Sequence, residues 1–102
     1  MRITDLRDGM GKVTVRGTIT RQIGIRDVTL RSGEPAKVGE FELEDESGKI
    51  TLVLWNEDID RVSPGDEVVI ENGYVRTFKG ELQLSVGKWG TLRLIRESEK
   101  AP

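Results

Sequence analysis

Apolar and polar residues alternate with a period of two along several short stretches of this 102-residue chain. In the first stretch, Val13, Val15 and Ile19 alternate with threonine and arginine residues, and the pattern extends toward Ile23 and Ile25. Such alternation places apolar side chains on one face of a β-strand and polar side chains on the other. Together with twelve glycines, the pattern predicts an all-β domain whose strands bury one face each.

Four further strands are expected after a long polar loop. The stretch from Arg26 to Lys37 contains Ser-Gly-Glu-Pro, a composition typical of turns, and predicts that loop. The following strand has Phe41 in phase with Leu43, so Phe41 is predicted to lie in the core. The remaining predicted elements are a hairpin turn at 45–48 and strands at 50–55, 67–77 and 81–86, the last two joined by Lys79-Gly80.

A short helix is predicted between the third and fourth strands. Asn56 is a residue type that caps helix N-termini, and Ile59 and Val62 lie three positions apart on one helix face. Five one-sided strands around a single small core are best closed into a barrel, because closure removes exposed strand edges. A five-stranded barrel with this helix position is an OB-fold. A sandwich or an SH3-like barrel is the alternative, and the helix argues against it.

Trp55 is predicted to lie on the outer face of the third strand. Ile50, Leu52 and Leu54 occupy the opposite, inner face, and side chains alternate strictly along a strand. An outward tryptophan exposes a large apolar group and calls for a reason. Either another segment of the chain covers it, or it contacts a ligand.

The fourth strand is predicted to contain a β-bulge at Asn72-Gly73. Without a bulge, the parity set by Val68 would bury an arginine between two aromatic residues, which is implausible. One extra residue at this point reverses the parity of everything that follows. The residues then expected on the outer face are Tyr74, Arg76 and Phe78, with Val75 and Thr77 inside.

Three outward aromatic residues with cations between them match the requirements of single-stranded nucleic acid. Bases stack on aromatic side chains irrespective of sequence, and neighbouring cations contact the phosphates. In an OB-fold the ligand crosses the middle strands between the loop after the first strand and the loop between the fourth and fifth. The cations expected in those loops are Arg26, Arg31, Lys37 and Lys79.

Several motifs in combination resemble one protein family. They are Thr51-Leu52-Val53-Leu54-Trp55, Pro64-Gly65-Asp66, Glu71-Asn72-Gly73-Tyr74, Phe78-Lys79-Gly80 and Leu82-Gln83-Leu84, with Thr4–Met10 and Asp45–Gly48 in agreement. Over residues 3–95 the chain is similar to the single-OB, single-stranded DNA-binding proteins of archaea and their eukaryotic relatives. It equally resembles the OB domains of archaeal replication protein A.

The resemblance implies a DNA-binding module of replication, recombination or repair. It implies base stacking on Trp55, Tyr74 and Phe78. It implies that the basic residues along the nucleic-acid path are Arg26, Arg31, Lys37 and Lys88. The chain departs from the family at Ser85, where some relatives have a fourth aromatic residue, and it lacks the basic, glycine-rich tail of some versions. Trp89 either extends the platform or caps the barrel, and capping is favoured.

Composition excludes most enzyme chemistry. The chain has no cysteine and no histidine, so thiolate or histidine metal sites, disulfides and Cys or Ser–His nucleophiles are excluded. No enzyme activity and no cofactor are expected. The acidic residues Glu40, Glu42, Glu44, Asp45 and Glu46 suggest a metal site, but a solvated face is the better interpretation.

The net charge of −2 is unusual for a nucleic-acid-binding domain. Ten of the 18 acidic residues lie between Glu40 and Glu67, whereas the first loop is basic, so a basic path beside an acidic face is expected. Residues 1–96 are expected to form one OB domain, and residues 97–102 a disordered tail or the start of a linker. The expected location is the cytoplasm, at the nucleoid, with no membrane contact.

Two alternative functions stay open beside the binding of single-stranded DNA. The first is an RNA-binding OB module, because stacking tolerates both sugars. The second is a protein-interaction module of a larger replication protein A-like assembly, with the aromatic residues buried against a partner. Other OB domains or replication and repair proteins are the partners expected there.

Overall fold

The structure is a computed structural model that describes residues 1–87 and 89–95. Lys88 and the predicted tail at 97–102 lie outside these residues. In the described part, no helix is long and apolar enough to cross a membrane. The strands are β1 (Val13–Thr29), β2 (Pro35–Glu44), β3 (Lys49–Trp55), β4 (Glu67–Phe78), β5 (Glu81–Ser85) and β6 (Thr91–Leu94), with 3₁₀ helices at Ile3–Asp5 and Asn56–Arg61.

Five of these strands form a closed ring. Their order is β1-β2-β3-β5-β4, and β1 also pairs with β4 to complete the circle. The β3–β5 pair is parallel, and the other pairs are antiparallel. The predicted OB-fold is therefore confirmed, with the short helix in its expected place between β3 and β4.

Strand β6 was not expected from the sequence pattern. It pairs with the first half of β4, with Ile70 opposite Leu92, while β5 pairs with the second half. Leu92 is buried and Leu94 is packed against the core, so this strand has the same one-sided alternation as the others. The strand is only four residues long, which makes its pattern weak in the sequence.

The core lies inside the ring and is built from the inward positions of the strands. Phe41 is completely buried, as predicted. The helix at Asn56–Arg61 closes one end of the barrel with Ile59, next to Gly39. A Cβ atom at Gly39 would lie 3.1 Å from Ile59 Cγ1 and from Phe41 Cε1. The absence of a side chain there lets the helix approach the strand closely.

The helix differs from its prediction at its first residue. Asn56 does not cap the helix: its backbone has φ +52°, and its Oδ1 accepts a hydrogen bond from the Lys37 N–H at 3.0 Å. The N-cap position belongs to Trp55, whose backbone is extended. Asn56 instead ties the helix start to β2, because its short amide tolerates the left-handed conformation.

The bulge predicted at Asn72-Gly73 is confirmed. On β1, Val13 and Val15 are two residues apart, but their partners on β4, Gly73 and Ile70, are three apart. Asn72 has φ +57°, so one extra residue is accommodated on β4. The parity of the strand reverses after it.

The long polar loop predicted from Arg26 to Lys37 is wrong. Strands β1 and β2 continue as a two-stranded ribbon up to the pair Thr29 and Pro35, and only residues 30–34 form the turn. In that turn the Leu30 N–H donates to the Glu34 carbonyl at 2.9 Å. The ribbon extends past the pairing of β2 with β3, and most of its side chains are exposed, so its apolar alternation is weak in the sequence.

The N-terminal segment is fastened to the β2–β3 hairpin by Asp45. Its Oδ2 accepts a hydrogen bond from the Ile3 N–H at 2.9 Å, and its Oδ1 accepts from the Ser47 hydroxyl at 2.6 Å and from the N–H groups of Ser47 and Gly48. Burial raises the pKa of the Asp45 carboxyl, but these hydrogen bonds outweigh it and the net pKa is lowered. The ionised carboxylate therefore stabilises this corner of the barrel.

Candidate nucleic-acid interface

An open groove of about 470 Å³ crosses the outer face of the barrel. The β1–β2 ribbon forms one wall and the second half of β4 forms the other, with β2, β3 and β5 between them. The residues that line it are Arg26, Val28, Thr29, Leu30, Arg31, Val38, Glu40, Val53, Trp55, Tyr74, Arg76, Thr77, Phe78, Gln83 and Ser85. The groove thus lies where an OB-fold places its ligand.

All three aromatic residues predicted to face outward line this groove. Trp55 is half-buried at the end of β3, opposite Val38 of β2. Tyr74 is half-buried on β4, and Phe78, at the end of the same strand, is 50% exposed. Their orientation follows from strand alternation in β3 and from the bulge in β4.

The bulge also determines which residues between the aromatic side chains face the core. Val75 is buried, as predicted. Thr77 is exposed and lines the groove, so its predicted inward position is wrong. Its backbone N–H donates to Asp8 Oδ1 at 2.8 Å. The barrel core ends before Thr77, and strand parity alone does not bury a side chain beyond that point.

Two cations lie against the aromatic rings. The guanidinium carbon of Arg76 is 5.3 Å from the centre of the Tyr74 ring, and Lys79 Nζ is 5.4 Å from the centre of the Phe78 ring. Lys79 and Gly80 form the predicted two-residue turn between β4 and β5, with φ +52° and +79°. Positive φ at both residues is typical of a type I′ hairpin turn, and this turn places the Lys79 ammonium beside Phe78.

The basic residues predicted in the first loop lie on different faces of the ribbon. Arg26 and Arg31 line the groove. Lys37 follows the opposite parity to the groove residues Val38 and Glu40, in phase with the core residue Phe41, so it lies on the other face of β2. Its predicted place in a loop is wrong because this segment is a strand, and Lys37 is not among the residues that line the groove. Lys88 lies outside the described residues.

Sequence reasoning missed two polar residues on the floor of the groove. Glu40 Oε1 accepts a hydrogen bond from Arg26 Nη1 at 3.0 Å, and Glu40 Oε2 accepts from Gln83 Nε2 at 3.2 Å. Strand parity could have placed both residues outward, because the neighbours Phe41 and Leu84 are buried. Their contact depends on the order of strands in the sheet, which the alternation pattern does not reveal.

The other acidic residues of β2 are paired away from the groove. Glu42 contacts Arg21 at 3.5 Å and Lys49 at 3.7 Å. The hydrogen bond from the Thr20 hydroxyl lowers the pKa of the Glu42 carboxyl, burial opposes this, and Lys49 and Arg21 add to the lowering. Among residues 1–87 and 89–95, no group of three or more acidic residues is arranged to hold a metal ion.

Trp89 was expected to cap the barrel, but the structure places it elsewhere. It lies in the turn between β5 and β6, its side chain is 79% exposed, and its carbonyl accepts a hydrogen bond from Asn72 Nδ2 at 3.0 Å. The same turn brings Gly87 against the Tyr74 ring. The turn therefore supports the Tyr74 ring at one end of the groove wall formed by β4.

Comparison with known proteins identifies the family. A model of the family described as "Single-stranded DNA binding protein Ssb-like, OB fold" matches residues 10–94. The chain belongs to this family. The match spans all of the barrel strands and the whole groove, and the family resemblance predicted from the sequence is confirmed for this Ssb-like chain.

Individual relatives agree with the family match. The Ssb-like chain is 31% identical to an uncharacterized protein of Arabidopsis thaliana over 74 residues, 72% of the chain and 48% of that protein. It is 28% identical to the single-stranded DNA binding protein Ssb of Saccharolobus solfataricus over 86 residues, 84% of the chain and 57% of that protein. The chain thus spans about half the length of these curated relatives.

A solved structure agrees in fold. The second OB-fold domain of replication protein A from Methanococcus maripaludis superposes with a TM-score of 0.77 at 24% identity, covering 100% of this chain and 97% of that one. At this identity the likeness concerns the fold alone.

Proposed function

We propose that this chain binds single-stranded DNA in the groove described above. The observation that carries the proposal is the set of three outward aromatic side chains, Trp55, Tyr74 and Phe78, lining one groove of an Ssb-like OB barrel. Each base stacked on an aromatic side chain contributes about 1–3 kcal/mol, whatever its identity. A domain of this size covers about four or five nucleotides.

Cations at the edges of the groove are proposed to contact the phosphates. Arg31 in the turn at the end of the ribbon, Arg76 on β4 and Lys79 in the β4–β5 turn are exposed, and the last two also lie against aromatic rings. Arg26 is less available because it is paired with Glu40. Lys88 is retained as a proposed phosphate contact on its resemblance to the family alone.

The module is proposed to act without catalysis in DNA replication, recombination or repair. The support is the family description and the name of the Saccharolobus relative, a single-stranded DNA binding protein. Because the curated relatives are about twice as long as the matched segment, we further propose that residues 1–96 act as one OB module beside other OB domains or replication and repair proteins. The cytoplasm, at nucleoid DNA, is the proposed location.

Fluorescence anisotropy of a labelled single-stranded DNA oligomer of mixed sequence, about eight nucleotides long, tests the function. Trp55→Ala is expected to weaken binding by about 1–3 kcal/mol, or about five- to 150-fold, through the loss of one stacked base. Ile25→Ala is the matched control. Ile25 is an exposed apolar residue of β1 that pairs with Gly39 of β2 and is not among the residues that line the groove. Its affinity is expected to equal that of the parent chain.

An unlabelled RNA oligomer of the same sequence, added as competitor, separates DNA from RNA binding. DNA is expected to be the stronger competitor. Stronger competition by RNA would replace the proposal with the RNA-binding alternative. Binding of neither oligomer would contradict a nucleic-acid function and favour the protein-interaction alternative.

A further inference from the structure

A short chain of polar side chains crosses the floor of the groove. Arg26 of β1 donates to Glu40 of β2 at 3.0 Å, and Gln83 of β5 donates to the other oxygen of the same carboxylate at 3.2 Å. Glu40 thus lies between two donors from different strands. Both of its neighbours fix the carboxylate in position rather than leaving it to rotate freely in solvent.

A carboxylate is an unexpected group in a groove proposed to receive a polyanion. Its side chain is 25% exposed, against 58% for that of Arg26. The Arg26 guanidinium offsets its charge, so Glu40 repels phosphate less than an unpaired carboxylate would. Each carboxylate oxygen carries two acceptor positions, and Arg26 and Gln83 use one on each oxygen. Glu40 therefore retains capacity to accept further hydrogen bonds.

We propose that Glu40 accepts a hydrogen bond from the amino group of one bound base and so favours cytosine over uracil or thymine at that position. The inference rests on the proposed function, because it concerns a base bound in the same groove. Arg26 and Gln83 act as positioning residues that orient the carboxylate.

The chemistry of the base edges supports this preference. Cytosine presents an N4 amino donor where uracil and thymine present the O4 carbonyl acceptor. A carboxylate attracts the amino group and repels the carbonyl oxygen. Stacking on Trp55, Tyr74 and Phe78 accepts every base, and stacking strength alone gives modest preferences. The part of a cytosine preference that Glu40 contributes is therefore the part that is lost when its carboxylate is replaced.

Affinities for oligodeoxycytidylate and oligodeoxyuridylate of equal length test the proposal. The two strands have rings of equal size and no methyl group, and they differ at N3 and the exocyclic group. The parent chain is expected to bind the cytosine strand about tenfold more tightly. In Glu40→Gln, the amide can donate to O4 as well as accept from N4, so this ratio is expected to fall close to one.

Glu42→Gln is the matched control for charge. Glu42 lies two residues along the same strand and is paired with Arg21 and Lys49 outside the groove. Both substitutions remove one negative charge, which by itself changes the affinity for the two strands by the same factor, and this factor cancels in the ratio. Glu42→Gln is expected to keep the tenfold ratio. Gln83→Leu provides a second variant, in which the carboxylate loses one positioning donor and the ratio is expected to fall to about threefold.

The possible results separate this inference from the proposed function. Equal affinity of the parent chain for the two strands would overturn the role of Glu40 while leaving DNA binding intact. A ratio that persists unchanged in Glu40→Gln would also overturn it. Failure of the parent chain to bind either strand would instead contradict the proposed function itself.

Discussion

The guanidinium of Arg76 lies over the Tyr74 ring, 5.3 Å from its centre, on the outer face of β4. The two residues are separated by Val75, which is buried in the core. This arrangement exists because Asn72 adds one residue to β4 and reverses its parity. A single left-handed residue in the middle of a strand thereby moves two aromatic residues and a cation from the core side to the groove.

Deletion of Asn72 is expected to disrupt folding. A regular β4 would direct Arg76 toward the core, and an unpaired buried charge costs about 3–5 kcal/mol. The free energy of unfolding, measured by urea denaturation, should therefore fall by at least that amount. Deletion of Ser32 from the exposed turn at 30–34 is the control, and a change below about 1 kcal/mol is expected there. A stable Asn72 deletion variant would contradict the role of the bulge.

The bulge could be predicted because a local rule conflicted with a global one. Regular alternation would have buried Arg76, and Asn72-Gly73 is a residue pair that accommodates an extra position. The closed barrel was predictable for a similar reason, since one-sided strands require a shared core. Both inferences rest on which residues avoid water, and this can be read from the residue types alone.

Other features depend on information that alternation does not contain. Most side chains of the ribbon from Arg26 to Lys37 are exposed, although Ala36 is buried, so its strands look like a loop in the sequence. The wrong position of Lys37 followed from that error. The contact of Glu40 with Gln83 joins β2 to β5, whose proximity arises from the order of strands around the ring.

The dependence of DNA binding on salt is expected to be moderate. If the four proposed contacts, Arg31, Arg76, Lys79 and Lys88, each neutralise one phosphate, the logarithm of the binding constant falls with the logarithm of salt concentration with a slope of about −3, from roughly 0.7 per phosphate. Arg31→Ala should bring this slope about 0.7 closer to zero. Titrations at four or more salt concentrations measure it.

Lys37→Ala is the matched control for this experiment. Lys37 is exposed, like Arg31, and belongs to the same ribbon, but it lies on the other face of β2 from the groove residues. Removal of its charge is expected to leave the slope within about 0.2 of the parent value, since a lost phosphate contact would shift it by roughly 0.7. Equal effects of the two substitutions would mean that the bound DNA does not follow the wall of the groove.

Gly87→Ala is expected to weaken DNA binding with little effect on stability. A Cβ atom at this position would lie 2.7 Å from Tyr74 Cε1 and 3.0 Å from Tyr74 Cδ1. The half-buried ring can move to relieve this contact, and its displacement would reduce stacking by about 1 kcal/mol, or roughly fivefold in affinity. Anisotropy titration and urea denaturation of the same variant measure the two effects separately.

A second glycine provides the comparison for Gly87. Gly24 lies on β1 opposite Glu40, and a Cβ atom there would meet nothing within 4 Å. Gly24→Ala should therefore bind DNA like the parent chain. The opposite result is a fall of several kcal/mol in the free energy of unfolding with unchanged affinity in the folded fraction. That result would mean that the Tyr74 ring does not move to accommodate the added Cβ atom.

Stability is expected to depend on the ionisation of Asp45. Its pKa is lowered in the folded chain from an ordinary value of 3.8, so the unfolded chain takes up the proton first as the pH falls. The stabilisation is complete above the ordinary value and is lost as the pH falls through the lower pKa of the folded state. Asp45→Asn should therefore lower the free energy of unfolding by about 1–2 kcal/mol at pH 7 and by progressively less below pH 3.8.

Urea denaturation of the parent chain and of Asp45→Asn between pH 7 and pH 2.5 measures this difference. Glu46→Gln removes a charge from an exposed neighbour in the same turn and is expected to change the free energy of unfolding by less than about 0.5 kcal/mol throughout. The destabilisation by Asp45→Asn should shrink steadily toward the acid end, because the parent carboxyl becomes protonated first in the unfolded chain and then in the folded one. A difference that stays constant across the whole range would show that the size and shape of the side chain, and not its charge, fasten the N-terminal segment to the hairpin.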